Sequence, residues 1–159
     1  MFGVATDDGD RDCWATPHGL FEPLDREFSF TWDLAAEDWS AKCEQYLTPD
    51  DDALSVGWWE LDGWLFLNPP FSELAVWLAR VKLEAAAGAR IVVVVPGHRH
   101  EQEWFQRYVI GVAHEVRCPR QRVSYSAPPG IPASSPTFPS MVLVYDGPNP
   151  EGRTELMRL

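Results

Sequence analysis

The fold is decided by the stretch Trp64-Leu65-Phe66-Leu67-Asn68-Pro69-Pro70-Phe71. Its first four residues form an apolar run typical of a short buried strand, and a long helical pattern begins at Ser72 directly after the stretch. A polar amide, two prolines and an aromatic ring therefore follow the carboxyl end of a strand. Because open α/β sheets bind their ligands at the carboxyl ends of their strands, this stretch predicts an α/β sheet with a functional site at that end.

Residues 68–71 suit a planar amine as the substrate. Such an amine is a poor nucleophile because its lone pair is delocalised into the ring, and two oxygens that accept its hydrogens can localise that lone pair. The side-chain oxygen of Asn68 and the backbone oxygen of Pro69 fit this task, since proline fixes φ at about −65°. Phe71 offers a face on which a flipped base can stack. In the alternative interpretation, the prolines only end a strand and Phe71 belongs to the core.

The composition indicates one globular domain inside a cell. A chain of 159 residues with 45% hydrophobic residues can bury a proper core. Cys13, Cys43 and Cys118 give an odd count without a CxxC pair, which is typical of a reduced protein with neither a disulfide framework nor a zinc site. No apolar stretch approaches the roughly 18 residues of a membrane span, and the acidic first residues argue against a secretory signal. We therefore expect a cytoplasmic protein with no membrane partner.

The charge is unevenly distributed along the chain, whose net charge is −11 at pH 7. Residues 1–63 contain 16 acidic and 3 basic side chains, whereas residues 64–159 contain 8 acidic and 10 basic ones. Five arginines fall between Arg99 and Arg122. A DNA partner would therefore contact the second half of the chain, with weak and strongly salt-sensitive affinity. The alternative is that these arginines only keep the surface soluble.

Several segments carry helical patterns. Thr16 and Pro17 predict a helix start with Thr16 as the N-cap, and Pro23 indicates that this helix is short or irregular. Ser72 predicts the cap of a second helix, which ends before Gly88. The apolar spacing of this helix predicts a buried stripe of Leu74, Trp77, Leu78 and Val81. The remaining helical segments are a short helix after a loop within 34–47 and a helix over 101–110.

The strand patterns predict a mostly parallel sheet with an antiparallel edge. Alternation of Phe28, Phe30 and Trp32 predicts a strand that ends near Asp33, and the β-branched run 91–95 is typical of a parallel strand covered on both faces. Later strands lack helices between them, which predicts the antiparallel edge. These later strands are expected at 116–118, 122–125 and 141–145, with a long loop over 127–139. An adenosyl cofactor can lie at the strand ends of such a sheet.

A carboxylate ends the first predicted strand, in the run Asp33-Leu34-Ala35-Ala36. The small residues after it allow the close approach of a charged cofactor, although Asp33 by itself is also typical of a helix cap. The usual glycine-rich nucleotide loop is absent. His98 and His100 have no third potential ligand near them in the sequence, so we expect surface histidines and no metal ion.

Short runs occur in a fixed order between residues 12 and 146. They are Asp12-x-Trp14-x-Thr16-Pro17, Phe30-Thr31-Trp32-Asp33-Leu34-Ala35-Ala36, Cys43-x-x-Tyr46, Asp52-x-Leu54, Trp58, the stretch 68–71, Arg120-Gln121-Arg122 and Ser135-Pro136-Thr137-Phe138-Pro139-Ser140. In their joint order and spacing, these runs resemble the phage-type DNA N-6-adenine methyltransferases, a Dam-like family. The resemblance implies a Rossmann-like S-adenosylmethionine-dependent methyltransferase fold. It also implies a site-specific, adenine-specific DNA methyltransferase that flips its target base.

The resemblance assigns roles to residues of this chain. Thr16 and Pro17 match the element that touches the methionine moiety, and Asp52 matches a position expected to face the adenosine. After Pro96 the family often has an Arg-Thr-Asp-Thr-like run, which this chain lacks. The implied catalytic residues are Asn68, Pro69, Pro70 and Phe71, with Phe71 at a position where Tyr is also common. The implied cofactor-binding residues are Trp14, Thr16, Pro17, Asp33, Ala35, Asp52 and Asn68. The DNA-binding residues expected are Arg99, Arg120, Arg122 and Ser140.

The expected organisation is an acidic flexible tail over 1–12, a methyltransferase domain over 13–146 and a C-terminal tail over 147–159. The expected protein is a monomer or a weak homodimer, and its partner is DNA. Two alternatives stay open. Another planar amine (cytosine N4, guanine N2 or a protein glutamine) suits the same motif, and the net charge mildly favours an acceptor other than DNA. A non-catalytic module that only binds the cofactor is the second alternative, although the intact Asn68 counts against it.

Overall fold

The computed structural model of the protein describes residues 12–131 and 137–159. The tail expected over 1–12 therefore lies, except for Asp12, outside the described residues. The α-helices are α1 (His18–Phe28), α2 (Leu74–Ala86) and α3 (Glu103–Tyr108). The strands are β1 (Phe30–Asp33), β2 (Gln45–Tyr46), β3 (Trp64–Leu67), β4 (Arg90–Pro96), β5 (Glu115–Cys118), β6 (Val123–Ser124), β7 (Thr137–Phe138), β8 (Ser140–Asp146) and β9 (Glu155–Arg158). Short 3₁₀ turns occupy Pro49–Asp51, Ala53–Ser55, Trp58–Glu60 and Phe71–Glu73.

Seven of these strands form one sheet in the order β2-β1-β3-β4-β8-β5-β9. Strands β2, β1, β3 and β4 are parallel to one another, and β5 and β9 are parallel at the other end of the sheet. Strand β8 lies between these groups and runs antiparallel to both β4 and β5. The predicted Rossmann-like α/β fold with a mostly parallel sheet is confirmed. The antiparallel strand lies inside the sheet, because β8 is buried from Ser140 to Tyr145 and an apolar strand is best covered there. The exposed strand β9 takes the edge instead.

Two apolar layers cover the sheet. One layer packs α2 and α3 against one face, and the other packs α1 against the opposite face. Strand β4 contributes to both, since Ile91, Val93 and Val95 point into the first layer while Val92 and Val94 point into the second. The β-branched run is therefore covered on both faces, as predicted.

Helix α1 differs from its prediction at two proline positions. It runs through Pro23 for 11 residues, because Leu20, Phe21, Leu24 and Phe28 form a buried face whose packing outweighs the lost backbone hydrogen bond. Its N-cap is Pro17 rather than Thr16, and the carbonyl of Pro17 accepts hydrogen bonds from the first turn.

The segment 34–47 contains no α-helix, contrary to prediction; it forms turns and the short strand β2. The carboxylate of Asp33 explains the difference. It accepts hydrogen bonds from the backbone N–H groups of Ala35 and Lys42, at 3.3 and 3.1 Å, and so holds the segment as a loop.

Three further predictions need correction in their details. Ser72 is not the N-cap of α2, whose cap is Glu73 after a 3₁₀ turn. The strand expected over 122–125 is β6, which pairs with β7 in a separate small sheet. Strand β9 lies within 147–159, so this segment includes part of the main sheet rather than only a tail. No helix in the described part of the chain combines the length and apolar character needed to cross a membrane.

Candidate active site

A cavity of about 270 Å³ opens at the carboxyl ends of β1 and β3. Its walls come from these strand ends, from the segment that follows β2 and from the residues that precede α1. Pro17, Pro69 and Phe71 adjoin the wall in sequence without lining it. The predicted site residues that do line the cavity are Trp14, Thr16, Asp33, Ala35, Asp52, Asn68 and Pro70.

Asn68 directly follows β3, and among the described residues only one of its two polar side-chain atoms forms a hydrogen bond. Nδ2 donates a hydrogen bond of 3.0 Å to the backbone carbonyl of Trp14. This bond orients the amide, because only its NH₂ group can donate to a carbonyl. Oδ1 is buried and finds no hydrogen-bond partner within residues 12–131 and 137–159. Since an unpaired buried acceptor costs free energy, the structure leaves an oxygen that a ligand can satisfy.

Residues 12–16, which we call the strap, are hydrogen-bonded to the motif at 68–71, to Ser72 directly after it and to Ser126. The carboxylate of Asp12 accepts hydrogen bonds from the backbone N–H of Ser72, at 2.9 Å, and from the Ser72 hydroxyl. Trp14 accepts the bond from Asn68. Ala15 and Ser126 exchange backbone hydrogen bonds of 3.0 and 2.9 Å. The strap thus fixes the orientation of the Asn68 amide.

Thr16 ends the strap as a wall residue of the cavity. Its side chain is 1% exposed, and Oγ1 has no hydrogen-bond partner in the described part of the chain. The prediction that Thr16 caps α1 is therefore wrong. The residue instead supplies a second buried polar atom beside the cavity that has no partner among the described residues. Thr16 and Asn68 both line the cavity, so a ligand bound there can meet both groups.

Asp33 is buried at the end of β1, where burial raises the pKa of its carboxyl group to about 7. Hydrogen bonds from the backbone of Lys42 and Ala35 act in the opposite direction but are outweighed. A carboxyl group with this pKa gains strongly from a cation nearby. Its position in the cavity wall agrees with the predicted approach of a charged ligand.

The charged residues in the described wall of the cavity are mostly acidic. Lys42 is its only basic side chain among the residues that the structure describes. This imbalance favours a cationic ligand and disfavours phosphate groups inside the cavity. The acidic lining residues are Asp12, Asp33, Glu37, Asp52 and Glu73.

Phe71 lies beside the cavity rather than in its wall. Its ring is half-buried and meets the ring of Tyr125 edge to face, with centroids 6.0 Å apart. Tyr125 is buried, and its hydroxyl shares a hydrogen bond of 2.8 Å with the hydroxyl of Ser140. Ser140 is itself 6% exposed. The structure therefore places Ser140 beneath Tyr125, where its side chain is covered.

The arginines named in the sequence analysis lie at the same end of the sheet as Asn68. Arg99 follows β4, and Arg120 and Arg122 follow β5; β3, β4 and β5 all point in one direction. All three arginines are exposed. This end of the sheet therefore carries positive charge outside the acidic cavity.

Arg117, which belongs to the same run of five arginines, has a structural role that the sequence does not reveal. It is 8% exposed and donates two hydrogen bonds of 2.7 Å to Glu27 and one of 2.6 Å to Glu115. The Glu27 bonds lower the pKa of that carboxyl group. Arg117 thus pins α1 to β5 and is not available to a ligand.

Other predicted residues have simpler positions. Asp52 is exposed at the rim and adopts a left-handed backbone with φ 46°, a conformation that Asp tolerates better than most residues. His98 and His100 are exposed. Within the described ranges, no cluster of three His, Cys, Asp or Glu residues is placed to hold a metal ion.

Sequence reasoning missed Lys42 and Trp77 as wall residues. Lys42 lies in the loop after Asp33, and nothing in its local pattern distinguishes it from a surface lysine. Trp77 belongs to the buried stripe of α2, which was predicted as core. Its contact with the cavity depends on how α2 packs against the segment after β2, so only the tertiary structure reveals it.

Comparisons with known proteins identify the family of this chain. A family model described as DNA N-6-adenine-methyltransferase (Dam) matches residues 3–149. A DNA N-6-adenine-methyltransferase of Haemophilus phage HP1 (strain HP1c1) is 23% identical over 150 residues, which cover 92% of this chain and 86% of that relative. A DNA N-6-adenine-methyltransferase of Escherichia phage T1 is 25% identical over 104 residues, or 65% of this chain and 43% of that relative. Since the family model spans most of the sequence, this chain belongs to the DNA N-6-adenine-methyltransferase (Dam) family.

Proposed function

We propose that this protein transfers a methyl group from S-adenosylmethionine to the N6 amine of adenine in DNA. The observation that carries the proposal is the state of Asn68, whose Nδ2 is held by the Trp14 carbonyl while Oδ1 has no partner among the described residues. An amide oriented in this way presents only an acceptor to the ligand. The N6 amine of adenine is a donor that needs such an acceptor.

The residues of the motif have separate tasks in this proposal. Asn68 Oδ1 and the backbone carbonyl of Pro69 accept the two hydrogens of the amine, which localises its lone pair for attack. They also stabilise the positive charge that develops on the nitrogen, an effect worth about 3–4 kcal/mol for one such group. The rings of Pro69 and Pro70 limit the backbone, so both oxygens keep their positions.

Asn68 Oδ1 is covered from solvent in this structure. Entry of the target base must therefore shift the residues that cover this oxygen. The base must also leave the DNA stack, which costs a few kcal/mol. Phe71, the last residue of the motif, is half-buried, and we assign it the stacking of the flipped base.

The residues of the cavity fit S-adenosylmethionine. The unpaired hydroxyl of Thr16 can serve the polar methionine end, and the acidic wall that includes Asp33 suits the positive charges of the cofactor. When bound, the cofactor supplies an electrophilic methyl group on a sulfonium. The N6 nitrogen forms its bond to the methyl carbon as the sulfur–methyl bond breaks, and the extra proton on the nitrogen is lost to solvent. The protein therefore needs no nucleophile of its own and holds the two reactants in line.

Arg99, Arg120 and Arg122 are proposed to contact the DNA backbone. They are exposed at the end of the sheet that carries Asn68, and phosphate contacts from arginine position a protein on a duplex. Ser140 is removed from this group because it is buried under Tyr125. Because these arginines lie outside the acidic cavity, they offer DNA positive charge despite the net charge of −11.

The test is an incubation of the protein with labelled S-adenosylmethionine and mixed-sequence DNA, followed by digestion to nucleosides. We expect label in N6-methyldeoxyadenosine, and about 10²- to 10³-fold less of it with Asn68→Ala. Label in methylated deoxycytidine or deoxyguanosine would instead favour another planar amine. Label in protein but not in DNA would favour a glutamine acceptor, and cofactor binding without any transfer would favour the non-catalytic module.

A further inference from the structure

Two tryptophans of the same core layer differ in how their indole N–H groups are satisfied. Trp58 and Trp77 stack with ring centroids 6.1 Å apart and an angle of 24° between their planes. The N–H of Trp58 donates a hydrogen bond of 2.8 Å to the backbone carbonyl of Ala53. The N–H of Trp77 is buried and has no partner among the residues that the structure describes. A buried indole N–H usually finds an acceptor, so the Trp77 donor needs an explanation.

The position of Trp77 relates this donor to the cavity. Trp77 is 7% exposed and lines the cavity, whereas Trp58 does not line it. Three apolar residues of the same core layer also line the cavity, namely Leu34, Leu47 and Ala53. Trp14 and Phe66 line it from the core layer on the opposite face of the sheet. The core layer that contains Trp77 thus gives the cavity an apolar wall.

We infer that the indole N–H of Trp77 donates a hydrogen bond to a ring nitrogen of the adenine in the methyl donor, and so recognises the nucleoside half of that cofactor. The inference rests on the proposed function, because it takes an adenosyl compound as the ligand of the cavity. It adds a binding residue that sequence patterns assign only to the core of α2.

The chemistry of the ligand supports this assignment. An adenine ring is flat and largely apolar, which suits the wall formed by Leu34, Leu47 and Ala53. Its ring nitrogens accept hydrogen bonds, whereas its amino group donates, so an indole N–H can pair only with a ring nitrogen. The sulfonium and the methionine portion then extend towards Thr16 and the acidic wall.

The Trp77 N–H is covered from solvent in the ligand-free protein. Binding of the base must therefore shift the indole or its neighbours slightly to make the hydrogen bond. The free energy gained by satisfying the donor then appears as ligand affinity. This requirement is testable, because a phenylalanine at position 77 keeps an aromatic ring and removes only the donor and part of the ring area.

The experiment measures the affinity of S-adenosylhomocysteine by calorimetry for the wild type, Trp77→Phe and Trp58→Phe. The same titrations use analogues in which the nitrogen at ring position 1, 3 or 7 is replaced by C–H. We expect Trp77→Phe to weaken S-adenosylhomocysteine roughly 3- to 10-fold, as for loss of one neutral hydrogen bond. For one of the analogues, wild type and Trp77→Phe should bind with equal affinity, since the acceptor is already missing.

Thermal melting of the ligand-free variants gives an independent readout. Both variants lose buried ring area, but Trp58→Phe should lower Tm more, because it also leaves the Ala53 carbonyl without its buried donor, whereas Trp77→Phe breaks no hydrogen bond among the described residues. Trp104→Phe, titrated in the same way, serves as the control for affinity, because Trp104 is buried in the same core layer but does not line the cavity. It should bind S-adenosylhomocysteine like the wild type.

Two results would overturn the inference while leaving the proposed function intact. One is equal affinity of wild type and Trp77→Phe for S-adenosylhomocysteine. The other is a loss of the same size for S-adenosylhomocysteine and for every analogue, which would show that the indole acts only through its shape. Wild-type protein that binds no adenosyl compound at all would overturn the proposed function, and the inference with it.

Discussion

Buried polar groups occur in two regions of this molecule, and the two regions treat them in opposite ways. Between α1 and β5, Arg117 is paired with Glu27 and Glu115 through three short hydrogen bonds. At the carboxyl ends of the strands, Asn68 Oδ1 and Thr16 Oγ1 are buried without any partner that the described residues supply. The polar groups of both regions are buried, so burial alone does not explain the difference.

The difference separates a structural role from a functional one. A satisfied buried network stabilises the fold, and removing one member leaves the others unpaired. An unsatisfied group lowers the stability of the ligand-free protein and gains its partner only when a ligand binds. Residues of the first region should therefore affect unfolding, and residues of the second should affect binding and transfer.

Asn68→Ala should give the largest effect and the clearest test of the second region. We expect turnover to fall about 10²- to 10³-fold, because one oriented acceptor at the reacting amine is lost, while cofactor affinity and Tm change little. Labelled-methyl transfer and calorimetry measure these quantities. The matched control is Asn149→Ala, whose amide bonds the backbone carbonyls of Ala113 and Arg153 away from the cavity. Near wild-type turnover of Asn68→Ala would contradict the assignment.

Arg117→Ala should give the largest loss of stability. We expect the free energy of unfolding to fall by about 2 kcal/mol, since three charge-assisted hydrogen bonds are lost while Glu27 and Glu115 stay partly solvated. The folded fraction should keep its turnover per molecule. Arg153→Ala is the control, because its ion pair with Glu151 is exposed and should contribute almost nothing. Urea denaturation checks both variants; equal losses would remove the distinction between the two regions.

Asp33 shares a feature with each region. Its carboxylate is hydrogen-bonded, like the carboxylates that pair with Arg117, but it lines the cavity, as Asn68 does. Its pKa in the folded protein, about 7, lies above the unfolded value of 3.8. The folded state therefore binds more protons between pH 4 and 7, so stability falls as pH rises through this window and then levels off. We expect wild type to lose about 2–3 kcal/mol between pH 5 and 8 from this group, and Asp33→Asn to lose that much less. Identical pH dependence in denaturation experiments would refute the raised pKa.

A substitution in the strap should have a smaller, indirect effect on turnover. Asp12→Ala removes the bonds to Ser72, so the carbonyl of Trp14 and the Asn68 amide should become less well ordered. We expect kcat to fall about tenfold from misorientation, with a smaller change in cofactor affinity. Asp25→Ala is the control, because Asp25 also accepts a backbone hydrogen bond, from Phe30, on the far end of α1. An effect on the cofactor Kd larger than that on kcat would assign Asp12 to cofactor binding instead.

The exposed arginines should give the smallest effect on the enzyme itself. Replacing Arg120 and Arg122 with alanine should weaken DNA binding and reduce the slope of log affinity against log salt by about one to two units, with cofactor affinity unchanged. Arg107→Ala is the control, because Arg107 forms an exposed ion pair with Glu103. Salt titrations that coincide for the double variant and the wild type would show that neither arginine touches DNA.

Local patterns predicted the parts of this protein that depend on near neighbours in the sequence. The run from Trp64 to Leu67 forms β3 with the predicted bounds, and the β-branched run of β4 is covered on both faces. The buried stripe of α2 contains Leu74, Trp77, Leu78 and Val81, as its spacing indicates. These features follow from the period of apolar residues, which each segment carries in itself. The clustering of Thr16, Asp33 and Asn68 in one cavity also agrees with the motifs.

The sequence by itself determined the mostly parallel α/β sheet, the motif at its strand end and the family to which the chain belongs. Only the tertiary structure decided how the polar groups are paired. Asp12 meets Ser72 across 60 residues, Asn68 meets Trp14 across 54, and Arg117 meets Glu27 across 90. The burial of Ser140 beneath Tyr125 likewise depends on where β8 inserts in the sheet. Periodicity records which face of a segment is apolar, whereas the partner of a polar atom depends on distant segments that come together only in the folded chain.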